Sequence, residues 1–426
     1  MTRHLAFVEA NTTGTGMIAL RTARDLGFVP VFLTSDRTRY LGLEETGAEV
    51  VDCDTNAPAT LTATLGALPG SLAGVTTTSE FYVLAVAEAA AELGLPGNPP
   101  EVVRRCRDKG QVRAALRAAG MPQPRFAVVR AEEDLDEALT RVGLPCVAKP
   151  VDDSGSQLVQ WCGTRNEVRE HAAQIMAVRT NVRGQRAAGA VLLEEFLDAP
   201  EFSVEMFSVD GVHRCVGITR KTVTGSPYFV ETRHIYPAPL EEAAESVLHK
   251  AAVDALDVLG IRLGPTHVEI RLTSQGPALI ELNPRLAGGM IPELVRLAHG
   301  ADLLRQQLHA ALGHDVDLRP TRDGIAGVAF LLPPREGVLR RITGAQEAAR
   351  LEHVARVTVT GQPGREVRLA RNAYDRLGSV ITHGRDTAEV DAALDKALEV
   401  LEVELEDLVP PSGPARRNPE DGTRRQ

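Results

Sequence analysis

Over its first hundred residues the chain alternates short apolar runs with stretches of helical periodicity, and that alternation admits few architectures. The runs are LAFVEA (5–10), VPVFLTSD (29–36), AEVVDCD (48–54) and GVTTT (74–78). A helix is predicted from about Gly16 to Leu26, and a long Ala-rich helix follows the last run. Strands separated by helices cannot pair as hairpins, because each helix carries the chain back across the sheet. A parallel, doubly wound sheet is therefore expected. PGNPP (96–100) ends the pattern, since its prolines can neither continue a helix nor donate ladder hydrogen bonds. A first domain over residues 1–98 is placed before it.

A length of 426 residues leaves room for about two further domains. The net charge of −10 disfavours a uniform anion-binding surface and, with it, nucleic acid as the main partner. Hydrophobic residues at 43% and charged residues at 24% describe a folding chain. The N-terminus has no signal-like apolar core, and no 18-residue charge-free apolar stretch occurs, so no membrane partner is expected. Five scattered cysteines without a CxxC pair support neither a disulfide framework nor a zinc knuckle, and a cytoplasmic location fits best.

Beyond the boundary the pattern reads as helix over 99–130, a strand at FAVV, a helix at 132–142, and strands at PCVAKPV (145–151) and VLLEEFL (191–197). THVEIRLT (266–273) and PALIELN (277–283) are joined by SQG, a hairpin turn, which sets Glu269 and Glu281 on adjacent strands. From 323 to 409, GVAFLLP, RVTVTG and GSVITHG read as strands and 386–403 as an amphipathic helix, together a small α/β cap. Its apolar face either packs on the chain's own body or forms a homodimer. The proline-rich stretch 410–426 reads as a disordered tail whose arginines are solvated.

Four segments carry possible chemistry. NTTGTG (11–16) either cradles an anion or is a tight turn before a capped helix; it is not GxGxxG, although Asp36 at the end of the second run keeps a dinucleotide reading open. Lys149 stands inside the apolar run of Cys146, Val147 and Ala148, where its ammonium must reach water or find an anion such as a polyphosphate. The following loop, Asp152 to Ser156, offers hydroxyls and a glycine suited to closing over phosphates. In ALIELN, period two sets Leu279, Glu281 and Asn283 on one face and Ile280 and Leu282 on the other. With Glu269 they form an oxygen set suited to Mg²⁺, or else a plain solvent-facing edge. Lys221, Glu231, Arg233 and His234 lie beside Tyr228 and Phe229, either as an amino-acid pocket or as a charged surface loop. Trp161 and Cys162 read as packing residues.

Taken in order, Asp108-Lys109, VAKP with Lys149, DDSGS, EEFLDAPE and ELNPRLAGG resemble the ATP-grasp superfamily over about Asp108 to Leu304. Glu231-x-x-His234 resembles the substrate element of bacilysin-type L-amino-acid ligases, a subgroup with a further glutamate near the end of the N-terminal domain, here Glu80. The resemblance implies an α/β ATP-grasp fold: a Rossmann-like N-terminal domain, an ATP-grasp domain over 99–322 with a small lobe at about 109–195 and a large lobe at 196–322, and the cap. It implies ATP and two Mg²⁺ ions as cofactors, with Mn²⁺ as a substitute. Lys109 and Lys149 would contact the phosphates, and the loop of Ser154, Gly155 and Ser156 would be a mobile flap. Glu194, Glu195 and Leu197 would form the hinge against adenine, Glu201 would hold the ribose, and Glu269, Glu281 and Asn283 the metal. Arg285 and Lys149 would be catalytic, Arg285 stabilising charge on an acyl phosphate and a tetrahedral intermediate, with Arg285, Gly288, Gly289, Glu80, Glu231 and His234 toward the substrates. The implied activity is an ATP-dependent carboxylate–amine ligase making an amide or dipeptide from small molecules. A carrier-bound or nucleotide acceptor, or a non-catalytic nucleotide-binding protein, are its rivals.

Overall fold

The computed structural model describes residues 3–12 and 15–408. Two residues of NTTGTG (13 and 14) and the tail read over 410–426 lie outside the described residues. The four apolar runs at the start form strands Arg3–Val8, Val29–Thr34, Glu49–Asp52 and Ser71–Thr76. They lie all parallel, with Arg3–Val8 between Val29–Thr34 and Ser71–Thr76 and Glu49–Asp52 at the edge. In the first strand Leu5, Ala6, Phe7 and Val8 are all buried, as helices on both faces of a parallel sheet require.

Two helices, Pro100–Arg107 and Lys109–Ala118, meet at Asp108. Its extended backbone breaks the helical run, and its carboxylate caps the second helix by accepting from the Gln111 amide. Lys109 thereby becomes the first helical residue, at the edge of the cleft described below. A small antiparallel sheet follows, in the order Phe126–Val129, Val191–Glu195, Cys146–Pro150, Gln160–Cys162. Helices Leu135–Val142 and Arg165–Ala177 cover one of its faces around a core of its own.

The largest sheet has eight strands in the order Gly276–Asn283, Gly264–Thr273, Glu201–Val209, Val212–Val223, Glu231–Tyr236, Ile325–Leu331, Gly378–Gly384, Val354–Val359. The three strands read in the C-terminal block thus extend the sheet that carries the Glu269–Glu281 hairpin. The helix read to residue 403 ends at Val400, and Glu402–Glu406 instead joins Gly337–Thr343 and Glu366–Val367 in a three-stranded sheet.

Across the hairpin and its neighbour the period of two separates chemistry from core. Glu201, Ser203 and Glu205 pair with Arg271, Glu269 and His267, while Phe202, Val204, Met206, Val268 and Ile270 pack under helix Glu242–Leu259. The strict alternation expected in ALIELN does not hold. A β-bulge sets Glu269 opposite Glu281 but Ile270 opposite Leu279, leaving Ile280 as the extra residue. Leu279 is consequently turned into the core beside Leu282, and Ile280 joins Glu281 and Asn283 along the cleft.

Candidate functional site

A cleft of about 1170 Å³ opens between the C-terminal ends of the parallel strands, the small sheet and the polar face of the eight-stranded sheet. Lys109, Lys149, Ser154 to Ser156, Glu194 to Leu197, Glu201, Glu231, His234, Glu269, Glu281, Asn283, Arg285, Gly288, Gly289 and Glu80 all line it. Residues spread over two hundred positions are thus brought to one space. Arg233 is the exception in its segment. A bulge at Thr232 turns it away from Glu231 and His234, and it pairs with Asp391 and Asp395 of helix Thr387–Val400.

Lys149 finds its anion inside the protein. Its strand pairs with Val191–Glu195, and its ammonium lies 2.6 Å from Glu194, which also accepts from Arg113 Nε at 2.5 Å. Burial alone would raise the Glu194 carboxyl, but Arg113 and Lys149 outweigh it and hold it down at about 2. The remaining donors of Arg113 reach the carbonyls of Leu279 (2.6 Å) and Ile280 (2.8 Å), so one guanidinium ties the hinge to the bulged strand. Lys109 donates to the Asp153 carbonyl at 2.6 Å and sits 3.6 Å from Glu281, linking the 152–156 loop to the hairpin.

Lys221 stands at the centre of an acidic ring, 2.6 Å from Glu269, 2.9 Å from Glu231 and 3.1 Å from Glu201. Burial disfavours its charge, yet the three carboxylates raise it well above the ordinary lysine range. His267 bridges Glu205 and Glu269, and these partners push it up to about 9 against the effect of burial. Among the described residues no three His, Cys, Asp or Glu side chains converge closely enough to hold a metal alone. The donor set nevertheless fits Mg²⁺, which commonly takes one or two carboxylates and completes its shell with phosphate oxygens and water. Glu269 and Glu281 face each other across the ladder, with Asn283 two residues on.

Toward the far end, Glu80 is buried between two guanidiniums. Arg107 donates to it at 2.8 Å, and Arg285 approaches at 2.5 Å as an ion pair out of line for a hydrogen bond. Burial opposes its ionisation, but Arg285 and Arg107 keep the Glu80 carboxyl below the usual range. Glu231 is likewise held by Lys221 and by Arg376 at 2.7 Å, the latter stacked 3.7 Å over the Phe330 ring. His234 is 1% exposed, and burial lowers its pKa although Glu231, 3.6 Å from Nε2, opposes this; neither ring nitrogen has a hydrogen-bond partner. Gly289 has φ +56°, and a Cβ there would stand 2.6 Å from His234 Nε2, so the turn can lie on the imidazole only as glycine.

Several contributors escaped the sequence reading. Arg107, Arg113, Arg271 and Arg376 sit in helices, strands or loops whose text is merely basic. Glu205 had a signal, two and four residues after Ser203 and Glu201 in EFSVEMF, where polar residues alternate with apolar ones. All five cysteines are free thiols, and burial raises each, to about 11 for Cys53 and Cys162 and about 12 for Cys106, Cys146 and Cys215, so none is poised as a nucleophile. No helix among the described residues is long and apolar enough to cross a membrane.

Residues 142–293 match the family model of the ATP-grasp domain, and residues 329–406 that of L-amino acid ligase C-terminal domain 2. Uncharacterized protein y4rH of Sinorhizobium fredii is 30% identical over 408 residues, covering 94% of this chain and 83% of that protein. Alanine–anticapsin ligase of Bacillus amyloliquefaciens is 30% identical over 268 residues, 57% of this chain and 55% of that ligase. The match thus spans little more than half of that relative. The crystal structure of an L-amino acid ligase from Bacillus licheniformis superposes with a TM-score of 0.81 at 24% identity, over 95% of this chain and 99% of that one, which speaks for the fold.

Proposed function

The chain belongs to the ATP-grasp ligases that form C–N bonds, and from that premise we propose that it joins a small-molecule carboxylate to an amine, both amino-acid-like, with ATP cleaved to ADP and phosphate. The observation that carries this reading is the convergence on one cleft of Lys109, Lys149 and the Glu269–Glu281 pair with the Glu80–Arg285 pair.

In this reading the substrate carboxylate takes the γ-phosphoryl group of ATP to become an acyl phosphate, and the amine then displaces phosphate to leave the amide. Glu269, Glu281 and Asn283 would hold Mg²⁺, whose charge offsets that of the transferring oxygens when it is bound. Lys109 and Lys149 add fixed cations at the same end, and Lys109 draws the 152–156 loop over it through the Asp153 carbonyl. Closure of that loop excludes the water that would hydrolyse an acyl phosphate. Arg285 has its guanidinium fixed by Glu80, so its donors need no reorganisation when negative charge develops on the carbonyl oxygen. To His234, which lines the cleft without a hydrogen-bond partner, we assign the proton that the incoming ammonium must lose.

Phosphate release measured with ATP, Mg²⁺ and pairs of amino acids, with mass spectrometry of the product, tests the proposal. Release that depends on the amine and yields an amide is expected; ATP turnover indifferent to every amine would overturn it. Arg285→Ala or Glu281→Gln should abolish amine-dependent release in a folded protein, and wild-type turnover in either would remove that residue from its role. Lys149→Ala is expected to weaken ATP binding, and an unchanged affinity would remove Lys149 from the nucleotide site.

A further inference from the structure

The small lobe extends a hairpin away from its own sheet. Residues 179–187 double back through an isolated bridge between Thr180 and Arg186. The Asn181 amide donates to the Gln185 carbonyl at 2.9 Å, and the Ala187 amide to the Arg179 carbonyl at 3.0 Å. Asn181 Oδ1 accepts from the amides of Arg183 (2.9 Å) and Gln185 (3.1 Å), and Gly184 supplies the left-handed turn at φ +77°. These internal bonds give the tip a fixed shape.

That tip meets the N-terminal domain at the loop after each of the four parallel strands. Arg183 Nη2 donates to the Ala10 carbonyl at 2.9 Å, and its Nη1 to the Tyr40 hydroxyl at 3.1 Å. Asn56 Nδ2 donates to the Arg183 carbonyl at 3.0 Å, and Gln185 Nε2 to the Phe81 carbonyl at 2.9 Å. The receiving surface is organised by Glu9, which is buried with its backbone in the left-handed region at φ +53°. A residue other than glycine stays there only where its surroundings enforce it. The Glu9 carboxylate accepts from Thr34 Oγ1 (2.9 Å), the Ser35 amide (2.8 Å), Thr55 Oγ1 (2.7 Å) and the Tyr40 hydroxyl. It thus ties the ends of the first three strands together and answers the charge of Arg183 across the phenol.

Val182, the apolar residue of the turn, is 52% exposed, so hydrogen bonds rather than buried apolar area hold the tip. Such bonds exchange for bonds to water at small net cost, which makes the contact reversible. The hairpin is also wired to the 152–156 loop. The Ala188 amide donates to Asp152 Oδ2 at 2.8 Å, and the Asp152 carbonyl accepts from Arg107 Nη2 at 2.8 Å. Arg107 Nη1 donates to Glu80 at 2.8 Å, and Glu80 precedes Phe81, the partner of Gln185. Hairpin tip, N-terminal loops and flap therefore form one circuit.

We propose that hairpin 179–187 is a latch that couples the flap to the N-terminal sheet. With the tip seated, the 152–156 loop stays over the cleft while the acyl phosphate waits for the amine; release of the tip lets the lobe open for nucleotide exchange. The latch rests on the ligase reading. Its residues are positioning residues, acting on the reaction through the loop.

The test uses Asn56→Ala with Gln185→Ala, which removes two tip bonds while leaving the phosphate, metal and substrate residues in place. Amide formed per ADP released is measured with ATP, Mg²⁺ and the amino-acid pair that wild type joins fastest. The double variant should lower that ratio by about 3- to 10-fold, with the excess ADP also appearing when the amine is omitted. Its Tm should equal that of wild type, and trypsin should cut after Arg183 faster than in wild type. A ratio equal to wild type overturns the latch even where turnover is slower, since a merely structural contact would slow both products together. Unchanged cleavage after Arg183 overturns it as well. Should the double variant fail to fold, Asn56→Ala alone decides by the same ratio, because Asn56 is exposed. A wild-type protein whose ATP turnover is indifferent to every amine would instead overturn the ligase reading, and the latch with it.

Discussion

Glu194 shows what a single position in the sequence could and could not tell. An ammonium inside the run of Cys146, Val147 and Ala148 had to find an anion, and a polyphosphate was the anion expected; the resemblance assigned Glu194 to the base-reading hinge. Strand pairing supplies an anion from within the protein, because Val147 falls opposite Glu194 and brings that carboxylate to Lys149, while both side chains still line the cleft. Pairing between distant strands has no local signature. The consequence for stability follows from sign. The Glu194 carboxyl lies near 2 in the fold against an ordinary 4.5, so its contribution is fully present above pH 4.5 and is lost as pH falls toward 2. The shift corresponds to roughly 3 kcal/mol, at the low end of the ~3–5 kcal/mol that breaking a buried pair costs. In urea titrations Glu194→Gln should be less stable than wild type by about 3 kcal/mol at pH 7, and that gap should close as pH falls from 4.5 toward 2. A gap that stays constant with pH would show that the carboxylate is not held by the two cations.

At the scale of elements, the hairpin Gly264–Asn283 was legible down to its turn, since Glu269 and Glu281 do face each other as SQG predicts. Its bulge was not legible, because Ile280 and Leu279 are equally apolar and only the packing under helix Glu242–Leu259 decides which is core. The 152–156 loop was read from its hydroxyls and glycine, but what it rests on was hidden. Ala373 donates to the Gly155 carbonyl at 3.3 Å, and a Cβ on Gly155, at φ +73°, would meet the Tyr374 ring at 2.9 Å. The left-handed backbone alone makes alanine there costly by about 1 kcal/mol, and the ring makes it displace the loop. Gly155→Ala is therefore expected to lower kcat for phosphate release about tenfold, a barrier change of ~1.4 kcal/mol, with little change in Tm. Adding Tyr374→Ala should recover part of the loss. A double variant no faster than Gly155→Ala would show that the ring is not what the loop closes against.

For the molecule as a whole, the sequence presented an N-terminal block, a middle block and a C-terminal cap in succession, and the physical coupling between them is stronger than that succession suggests. One apolar core contains Leu5, Phe7 and Leu20 from the first block, Leu294, Val295 and Leu308 from the middle, and Val328, Phe330 and Ile381 from the last. The eight-stranded sheet crosses the same divide, with Glu231–Tyr236 paired to Ile325–Leu331. Composition cannot reveal this, since each block carries enough apolar residues to suggest a core of its own. A chain ending at residue 323 would expose Ile235 and Tyr236 on a new sheet edge and strip the partners from helix Ile291–His299. Each large apolar side chain uncovered costs about 1.5–3 kcal/mol, and several such losses consume the ~5–15 kcal/mol by which a domain is stable. Residues 1–323 are thus expected to aggregate or to melt without a cooperative transition in calorimetry, whereas the full chain unfolds with its first and last blocks together. A sharp transition for 1–323 near the Tm of the full chain would mean that the shared core contributes little and that the cap is an independent module.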